Sequence, residues 1–466
     1  MIRPLGAASV TVVIVALASA CTLERGLPTA EPAPEAAREP VRKARRTNAL
    51  VTVVDGDTHR RVRGARVVIG RRADYANTRG LAAVGLARRT SLEVRVSKPG
   101  YLARTVRMPF GRRNRVTVRL YQPALQWTMF GANARRTSAH VGIRLRPPFR
   151  VAWSQGIGSL VEFPAVVSEG VAYIGNFQGH IYALRMRDGK IVWRYQPAGS
   201  KMASSPAVVG RDVVVHGMDG LVRVLDRRNG RLRWTYRVGS PIESSPVVVG
   251  GVDFFGAWDG RVYALDLTRR KLRWTYPGGY KITSSAAVSG GTLYIGDYGG
   301  RLLAIGTRSG RLRFAGTVDG RIYGTPAVAG GRVFVPSSTG GSITAFTTAG
   351  RYLWRVNTGS YVYSSPAVWA GRVFFGSYNG SFYSVSASSG RVLWSVGAGG
   401  PVSGAAVVVS GVAYAGSTWG RITGVDAKSG RILLSFPHGE YVPVSGNGQR
   451  LLLHGYSRIW AVEPKK

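Results

Sequence analysis

The stretch SSPVVVGGVDFFGAWDGRVYALDLTRRKLRW, residues 244–274, contains four short apolar runs that are separated by turn-forming residues, three of them glycines. The runs PVVV, VDFFG, RVYALD and KLRW have the length and composition of β-strands. The turns between them are short enough to join antiparallel neighbours. The stretch therefore predicts one four-stranded antiparallel sheet.

The same unit recurs along the rest of the chain. Each unit opens its first run with proline or alanine, and successive openings lie 42, 40, 40, 40, 40, 39 and 38 residues apart. These opening residues are Pro164, Pro206, Pro246, Ala286, Pro326, Pro366, Ala405 and Pro443. A four-stranded unit that repeats about every 40 residues is typical of β-propeller blades.

The last unit is incomplete, which bears on how the ring closes. Seven units carry four strand-like runs, whereas the eighth, which opens at Pro443, ends after three. The run FRVAW at residues 149–153 precedes the first unit and can supply the missing outer strand. We therefore expect an all-β fold with an eight-bladed propeller over residues 149–464, closed by the strand at residues 149–154, so that no sheet edge is left open.

The third turn of the repeat carries a recognisable motif. YALRMRDGKIVW (182–193), VRVLDRRNGRLRW (222–234) and YALDLTRRKLRW (263–274) follow, with single departures, the order Ala, Asp two residues later, Gly six later and Trp ten later. The motif resembles the tryptophan-docking repeat of PQQ-binding-like, quinoprotein alcohol dehydrogenase-like β-propellers. That resemblance implies that the repeat tryptophans dock between blades: Trp153, Trp193, Trp234, Trp274, Trp354 and Trp394. Phe314 and Leu434 stand in their place in two units.

The same resemblance raises a quinone-dependent dehydrogenase as an alternative. Enzymes of that class hold the quinone with adjacent disulfide-linked cysteines and a calcium ion ligated by Glu, Asn and Asp. This chain has one cysteine, and several of its propeller acids, such as Asp226, Asp266 and Asp426, belong to the repeat turn. Because calcium takes six to eight oxygen ligands, we predict no cofactor, no metal site and no catalytic residue. An activity assembled across blades stays open.

The N-terminus has the layout of an export signal. In MIRPLGAASVTVVIVALASAC, Arg3 precedes an apolar run that ends in small residues at Cys21. Residues 1–21 are thus a signal peptide, a lipoprotein signal with lipidation at Cys21, or an uncleaved anchor. Residues 22–48 are rich in Pro, Ala and charge and predict an extended linker. The expected location is extracytoplasmic and membrane-anchored.

A small domain precedes the repeats. Residues 49–122 contain about six short runs of alternating apolar and polar residues, which predict a compact β-sandwich. The order VVDGDTHRRVRGARVVI (53–69), TRGLA (78–82) and VSKPGY (96–101) resembles the carboxypeptidase-regulatory-like, transthyretin-type sandwich. Residues 123–148 are interpreted as a connecting segment.

Propeller topology predicts which loops share a face. The loops between the second and third strands lie on the same side as the loops that enter each blade, and together they predict a binding face. Its residues are Phe177, Met218, Trp258, Tyr298, Tyr378, Trp419 and Tyr456, together with Lys201, Lys281, Arg321 and Tyr361. The loops that enter the blades add Glu243, Tyr280, Tyr323, Tyr363 and Glu440. Aromatic rings beside a few charges suit an envelope protein or a polysaccharide ligand. Alternatively, these rings pack on neighbouring blades.

The charge is unevenly distributed. The chain carries a net charge of +41, and residues 38–150 hold 25 Arg and 2 Lys against 5 acids. Basic segments near a membrane are attracted to anionic lipids, so this region predicts contact with an anionic membrane surface, and we expect no nucleic-acid partner.

Three functions follow from these features. The first is a non-enzymatic scaffold, expected to be monomeric, that binds a protein or ligand at the bacterial cell envelope. Its architecture resembles the propeller lipoprotein of the outer-membrane β-barrel assembly machinery. The second is an envelope enzyme or cofactor sensor, and the third is a binder of anionic envelope polymers.

Overall fold

The computed structural model describes residues 48–86, 93–108 and 114–465. Cys21, the signal segment 1–21 and all but the last residue of the linker 22–48 lie outside these ranges, so their assignments remain predictions. Within the described ranges the chain is built almost entirely of β-strands.

The N-terminal strands form two sheets around one core. In the described part of residues 48–122 the strands are β1 (Asn48–Asp55), β2 (Arg66–Ile69), β3 (Arg72–Tyr75), β4 (Leu81–Gly85), β5 (Glu93–Ser97), β6 (Arg104–Arg107) and β7 (Arg115–Leu120). One sheet has the order β4-β1-β7, with β1 and β7 parallel, and the other has the order β3-β2-β5-β6. Alternate residues point inward, and Val51, Val67 and Val94 of the two sheets meet in one hydrophobic cluster. This is the two-layer arrangement of a β-sandwich; the family resemblance of this domain stays a prediction.

The propeller consists of eight sheets in chain order. Blades 1 to 4 contain β10 (Val166–Ser168), β11 (Val171–Gly175), β12 (Ile181–Arg185), β13 (Ile191–Tyr195); β14 (Ala207–Val209), β15 (Asp212–His216), β16 (Leu221–Asp226), β17 (Leu232–Arg237); β18 (Val247–Val249), β19 (Val252–Gly256), β20 (Arg261–Asp266), β21 (Lys271–Pro277); β22 (Ala287–Ser289), β23 (Thr292–Gly296), β24 (Arg301–Gly306) and β25 (Leu312–Thr317).

Blades 5 to 8 follow the same pattern. They contain β26 (Ala327–Ala329), β27 (Arg332–Ser337), β28 (Ser342–Thr347), β29 (Tyr352–Asn357); β30 (Ala367–Trp369), β31 (Arg372–Gly376), β32 (Ser381–Ser386), β33 (Val392–Gly397); β34 (Val407–Val409), β35 (Val412–Ser417), β36 (Arg421–Asp426), β37 (Ile432–Pro437); β38 (Val444–Gly446), β39 (Leu451–His454) and β40 (Arg458–Pro464). The fourth strand of blade 8 is β9 (Phe149–Gly156), which pairs antiparallel with β40. The eight-bladed fold is thereby confirmed, and β9 completes the eighth blade.

The repeat tryptophans bridge successive blades. Five of them donate the indole N–H to a backbone carbonyl of the next blade: Trp153 to Met186 (2.8 Å), Trp193 to Arg227 (3.0 Å), Trp274 to Thr307 (2.9 Å), Trp354 to Ala387 (3.3 Å) and Trp394 to Ala427 (3.2 Å). Each ring lies against the turn glycine of that blade; a Cβ on Gly230 would come within 2.5 Å of Trp193. Opposite Trp234 the glycine is replaced by Arg270, whose guanidinium lies 5.9 Å from the indole centroid.

A belt of hydroxyl groups ties the inner ends of five blades together. Ser205 N–H donates to Ser245 Oγ, and the same contact repeats from Ser245 to Ser285, from Ser285 to Thr325 and from Thr325 to Ser365, at 2.8–3.3 Å. These residues precede the proline or alanine that opens each unit. Since the N–H groups are buried, the hydroxyls satisfy donors that would otherwise be left without an acceptor.

The connecting segment lies inside the ring. It contains a short 3₁₀ helix (Pro123–Leu125) and β8 (Ala139–His140), which pairs in parallel with β34. We call residues 127–140 the axial segment, because its carbonyls accept N–H groups from the innermost strands of several blades. The pairs are Thr128 with Val208, Ala134 with Val288, Arg135 with Val328, Thr137 with Val368 and Ser138 with Val408, at 2.7–2.9 Å. The segment therefore follows the inner edge of the ring and occupies its centre.

Arg136 fixes the axial segment to blades 3 and 4 through its side chain. Its side chain is buried, and Nε donates to the carbonyl of Ala286 (2.9 Å). Nη2 donates to the carbonyls of Ser245 (3.0 Å) and Pro246 (2.9 Å), and Nη1 donates to that of Phe130. One guanidinium thus joins the axial segment to blades 3 and 4.

Asp57 and Gln126 join the sandwich to the propeller. Buried Asp57 accepts hydrogen bonds from Gln126 Nε2 (3.0 Å) and, in blade 8, from Asn447 Nδ2 (2.9 Å). The carbonyl oxygen of the Gln126 side chain accepts the Glu169 N–H of blade 1 (2.7 Å). Burial raises the pKa of Asp57 to about 7, against the lowering effect of the two amide donors.

Replacing Gln126 with alanine is expected to lower the free energy of unfolding by about 2–3 kcal/mol, because it leaves a buried N–H and a buried carboxyl group with fewer partners. Urea denaturation at pH 7 would measure the change. The exposed Gln196 provides the matched control, and its alanine variant should lie within about 0.5 kcal/mol of the parent. Equal stability of the two variants would contradict the assigned contact.

Candidate functional site

The two loop sets that were predicted to share a face are joined directly. In each of several blades, a residue one or two positions after the second strand donates its N–H to a carbonyl of the loop that enters that blade. The pairs are Phe177 with Leu160, Met218 with Lys201, Trp258 with Pro241, Tyr298 with Lys281, Tyr378 with Tyr361 and Thr418 with Pro401, at 2.8–3.0 Å. Because this bond repeats around the ring, the loops form one continuous face around the axis.

Five tyrosines on this face form a contiguous group, which we call the tyrosine cluster. Its members are Tyr298, Tyr323, Tyr361, Tyr363 and Tyr378 of blades 4 to 6. Ring centroids lie 4.5 Å apart for Tyr298 and Tyr323, 5.2 Å for Tyr323 and Tyr363, and 5.0 Å for Tyr363 and Tyr378. All five belong to the two loop sets from which the sequence predicted a binding face.

Cationic side chains cover the rings at one end of the cluster. Lys281 Nζ lies 3.2 Å from the centroid of Trp258 and 5.0 Å from that of Tyr298. The Arg321 guanidinium lies 5.8 Å from Tyr298. Such contacts stabilise a cation over an aromatic ring. Four of the predicted face residues are therefore in contact with one another: Trp258, Lys281, Tyr298 and Arg321.

Other predicted face residues stand apart. Lys201 Nζ lies 5.5 Å from the Phe177 ring in a separate pair, and Met218 is half-buried. Trp419 is 77% exposed and Tyr456 is 58% exposed, and neither has a ring contact with the tyrosine cluster within the described residues. Trp419 sits one position later in its loop than the other rings, with Thr418 at the equivalent position, which explains its outward placement.

A cavity of about 150 Å³ opens at the centre of this face. Every blade contributes to its lining, and the axial segment contributes Phe130, which packs edge-on against Phe163 at 5.7 Å between centroids. The other lining side chains include Glu162, Glu243, Thr283, Tyr323, Tyr363 and Tyr441. We call this the axial cavity. Because Phe130 is buried in the ring, the cavity ends within the protein.

Two carboxyl groups face the axial cavity. Burial and, to a smaller extent, the nearby carboxyl of Glu243 raise the pKa of Glu162 to about 7. Burial also raises the pKa of Glu243, although Lys281 and the indole N–H of Trp258 oppose that shift. Within the described residues Glu162 makes no hydrogen bond or ion pair.

Sequence analysis missed the axial cavity. The position four residues before the innermost strand is Glu162, Ala203, Glu243, Thr283, Tyr323, Tyr363 and Ser403 in blades 1 to 7, and all seven residues line the cavity. In blade 8 this position is Glu440, which lines a different depression, and Tyr441 lines the cavity instead. The seven positions hold five residue types, whereas the position on either side of them holds three. The cavity could have been detected from this variation in residue type. Packing restricts which residues fit at structural positions of a repeat, whereas positions that face an open axis are not restricted in this way.

The described residues do not fit a quinone cofactor with a bound calcium ion. Among them no three His, Cys, Asp or Glu side chains are close enough to hold a metal ion. The axial cavity, at about 150 Å³, is also smaller than the roughly 300–1,000 Å³ of pockets for drug-sized ligands. Asp226, Asp266 and Asp426 are engaged in their turns, accepting backbone N–H groups at 2.8–3.1 Å.

In the part of the chain that the structure describes, no helix has the length and apolar character needed to span a membrane.

Comparison with solved structures shows the fold. BamB from Moraxella catarrhalis superposes with a TM-score of 0.58 over 68% of this chain and 98% of that chain, at 18% identity. Quinohemoprotein alcohol dehydrogenase from Comamonas testosteroni superposes with a TM-score of 0.61 over 73% of this chain and 81% of that chain, at 14% identity. The designed Ika8 protein gives 0.59 over 66% and 97%, at 17% identity.

Comparison of sequences identifies the family. Outer membrane protein assembly factor BamB from Yersinia pestis is 31% identical over 77 residues, which cover 15% of this chain and 19% of that relative's length. The PQQ_2 family model, described as outer membrane protein assembly factor BamB, matches residues 124–281, 258–363 and 339–457. Since these matches cover most of the sequence, the chain belongs to the PQQ_2 family of BamB-like propeller repeat proteins.

Proposed function

We propose that the protein is a non-enzymatic, extracytoplasmic scaffold that binds a protein partner at the bacterial cell envelope. The observation that carries the proposal is the loop face. There Trp258 is 36% exposed and Tyr361 is 50% exposed, next to the four half-buried rings of the tyrosine cluster. Exposed aromatic rings beside cations are the side chains that dominate binding energy at protein interfaces. Family membership supports the same class of function, since the matching relative is named as an assembly factor.

The N-terminal region supplies the location in this proposal. Cys21 or the apolar segment before it would hold the protein at a membrane. The predicted membrane contact of the basic region 38–150 needs one correction, because residues 127–140 lie inside the ring and Arg136 is buried there. The part of the region before the axial segment would lie near the lipid surface, where each Lys or Arg contributes about 1 kcal/mol of attraction to anionic lipids. The propeller, with its loop face, would be presented to partners beyond that surface.

The test is partner capture by cross-linking in envelope fractions, with the double variant Trp258→Ala, Tyr361→Ala. Removing two exposed rings should not unfold the ring but should lower capture of the partner about tenfold or more. A matched double variant, Tyr75→Ala with Tyr352→Ala, removes two exposed tyrosines (61% and 53%) elsewhere on the surface. If both double variants captured the same partners in equal amounts, the loop face would not be the binding surface.

A further inference from the structure

We propose that the axial cavity binds an organic cation, the guanidinium or ammonium group of an arginine or lysine side chain that the protein partner inserts along the propeller axis. This inference rests on the proposed function and names the chemistry that the partner presents. The loop face would supply the surrounding contact, and the cavity would receive one side chain.

The first support is the state of the carboxyl groups. The chain holds 64 Lys and Arg against 23 Asp and Glu, so a carboxyl group in it is surrounded by available cations. Asp266 accepts hydrogen bonds from both Arg269 and Arg273, and Glu463 accepts from Arg150 and Arg450. Against that background, Glu162 makes no hydrogen bond or ion pair within the described residues.

The second support is the lining of the cavity. Phe163, Tyr323, Tyr363 and Tyr441 line the same space as the two carboxyl groups. A ring face attracts a cation, and Lys281 over Trp258 shows that this face of the molecule already uses such contacts. A cavity lined by aromatic rings and carboxyl groups therefore favours binding of a flat or compact monocation. The same lining disfavours binding of an anion.

Size restricts the occupant. About 150 Å³ admits the head group of one side chain rather than a folded element, and the cavity ends at buried Phe130. Two of the protein's own cations lie near the cavity, and both are engaged. Lys281 has its ammonium against Trp258. The Arg136 guanidinium, 5.4 Å from the centroid of the Phe130 ring, donates to four backbone carbonyls.

The test uses the full chain and small probes. N-acetyl-arginine amide and N-acetyl-lysine amide are titrated against the protein at pH 8 by calorimetry or NMR, with N-acetyl-citrulline amide as the uncharged isostere of arginine. We expect saturable binding of at least one cationic probe and at least about tenfold weaker binding of citrulline, since a unit charge near a carboxylate is worth a kcal/mol or more at these distances. Comparison of the arginine and lysine probes shows whether the cavity prefers a guanidinium or an ammonium group.

Variants locate the binding. Glu162→Gln should weaken the cationic probe about tenfold at pH 8, whereas Glu440→Gln should change it by less than about twofold. Glu440 provides the matched control because its pKa is also raised by burial and it makes no ion pair within the described residues, but it lines a different surface depression with Tyr456 and His438.

The pH dependence has a definite sign. Glu162 and Glu243 face the cavity, Lys281 lies beside Glu243, and the Arg136 guanidinium lies against the Phe130 ring that lines the cavity. With the pKa of Glu162 near 7, affinity should rise between pH 6 and pH 8. Glu162→Gln should also melt at a higher temperature than the parent at pH 8, with the two converging below pH 4.5, because ionising a buried carboxyl destabilises the fold. This shift shows that the variant is folded.

Two results would overturn the inference: equal binding of citrulline and arginine probes, or no saturable binding of either cation up to about 50 mM, a range that covers even very weak sites. Neither result depends on the loop-face variants. The two proposals can therefore fail separately. If the loop-face variants lost partner capture but no probe bound the protein, the scaffold function would be supported and only the cation site would be rejected.

Discussion

Replacing Arg136 with leucine is expected to lower the free energy of unfolding by about 3–5 kcal/mol, because four buried backbone carbonyls lose their donor at once. The guanidinium donates to carbonyls of Phe130, Ser245, Pro246 and Ala286. Leucine fills part of the space but donates nothing. Chemical denaturation followed by tryptophan fluorescence would measure the loss.

The neighbouring residue provides the control for this prediction. Arg135 is exposed, and its alanine variant should change stability by less than about 0.5 kcal/mol. Hydrogen exchange adds a local readout, since amides of Val288 and Val328, which donate to the axial segment, should lose protection in Arg136→Leu. Unchanged exchange at these amides would show that Arg136 does not hold the segment in the ring.

Replacing Trp193 with alanine is expected to cost about 3–5 kcal/mol. The side chain is 7% exposed, packs 5.8 Å from Tyr173 between centroids and donates its N–H to the Arg227 carbonyl at 3.0 Å. Alanine opens a cavity at the junction of two blades against Gly230 and leaves that carbonyl without its donor. Calorimetry and urea denaturation would give the loss.

Two further variants calibrate the Trp193 result. Trp193→Phe should cost only about 1–1.5 kcal/mol, because it keeps the ring and loses the hydrogen bond; Phe314 already packs in this way against Gly350, where a Cβ would lie 2.7 Å from the ring. Trp419→Ala removes a tryptophan that is 77% exposed and should be nearly neutral. Similar losses for Trp193→Ala and Trp419→Ala would refute the docking role.

The blades could be predicted because their determinants are local and repeated. The spacing of Trp193 and Gly189, or of Trp394 and Gly390, is set by one turn, so each copy of the motif is readable by itself. Closure by residues 149–156 was readable as well, since a missing strand at one end matched a spare strand at the other. Because the blade motif occurs many times, each copy supports the same assignment of strands and turns.

The axial segment could not be predicted by the same means. The residues that fix it do not repeat along the sequence. Arg136, for example, bonds to Ala286, which lies 150 residues later in the chain. In a chain with 55 arginines among 64 basic residues, nothing local distinguishes Arg136 from exposed Arg135. The axial cavity was missed for a related reason. Glu162 and Tyr363 are 201 residues apart, and only the closed ring brings them to one space.

The position of β9 and the axial segment has a consequence for the order of assembly. Residues 127–156 emerge before any blade, yet their partners lie in every later part of the chain, ending with β40 (Arg458–Pro464). Contacts at such sequence separation close late, because loop entropy opposes them until most of the chain is present. Residues 127–156 are therefore synthesised before the strands that they contact. The ring can close only after the last strand, β40, has been synthesised.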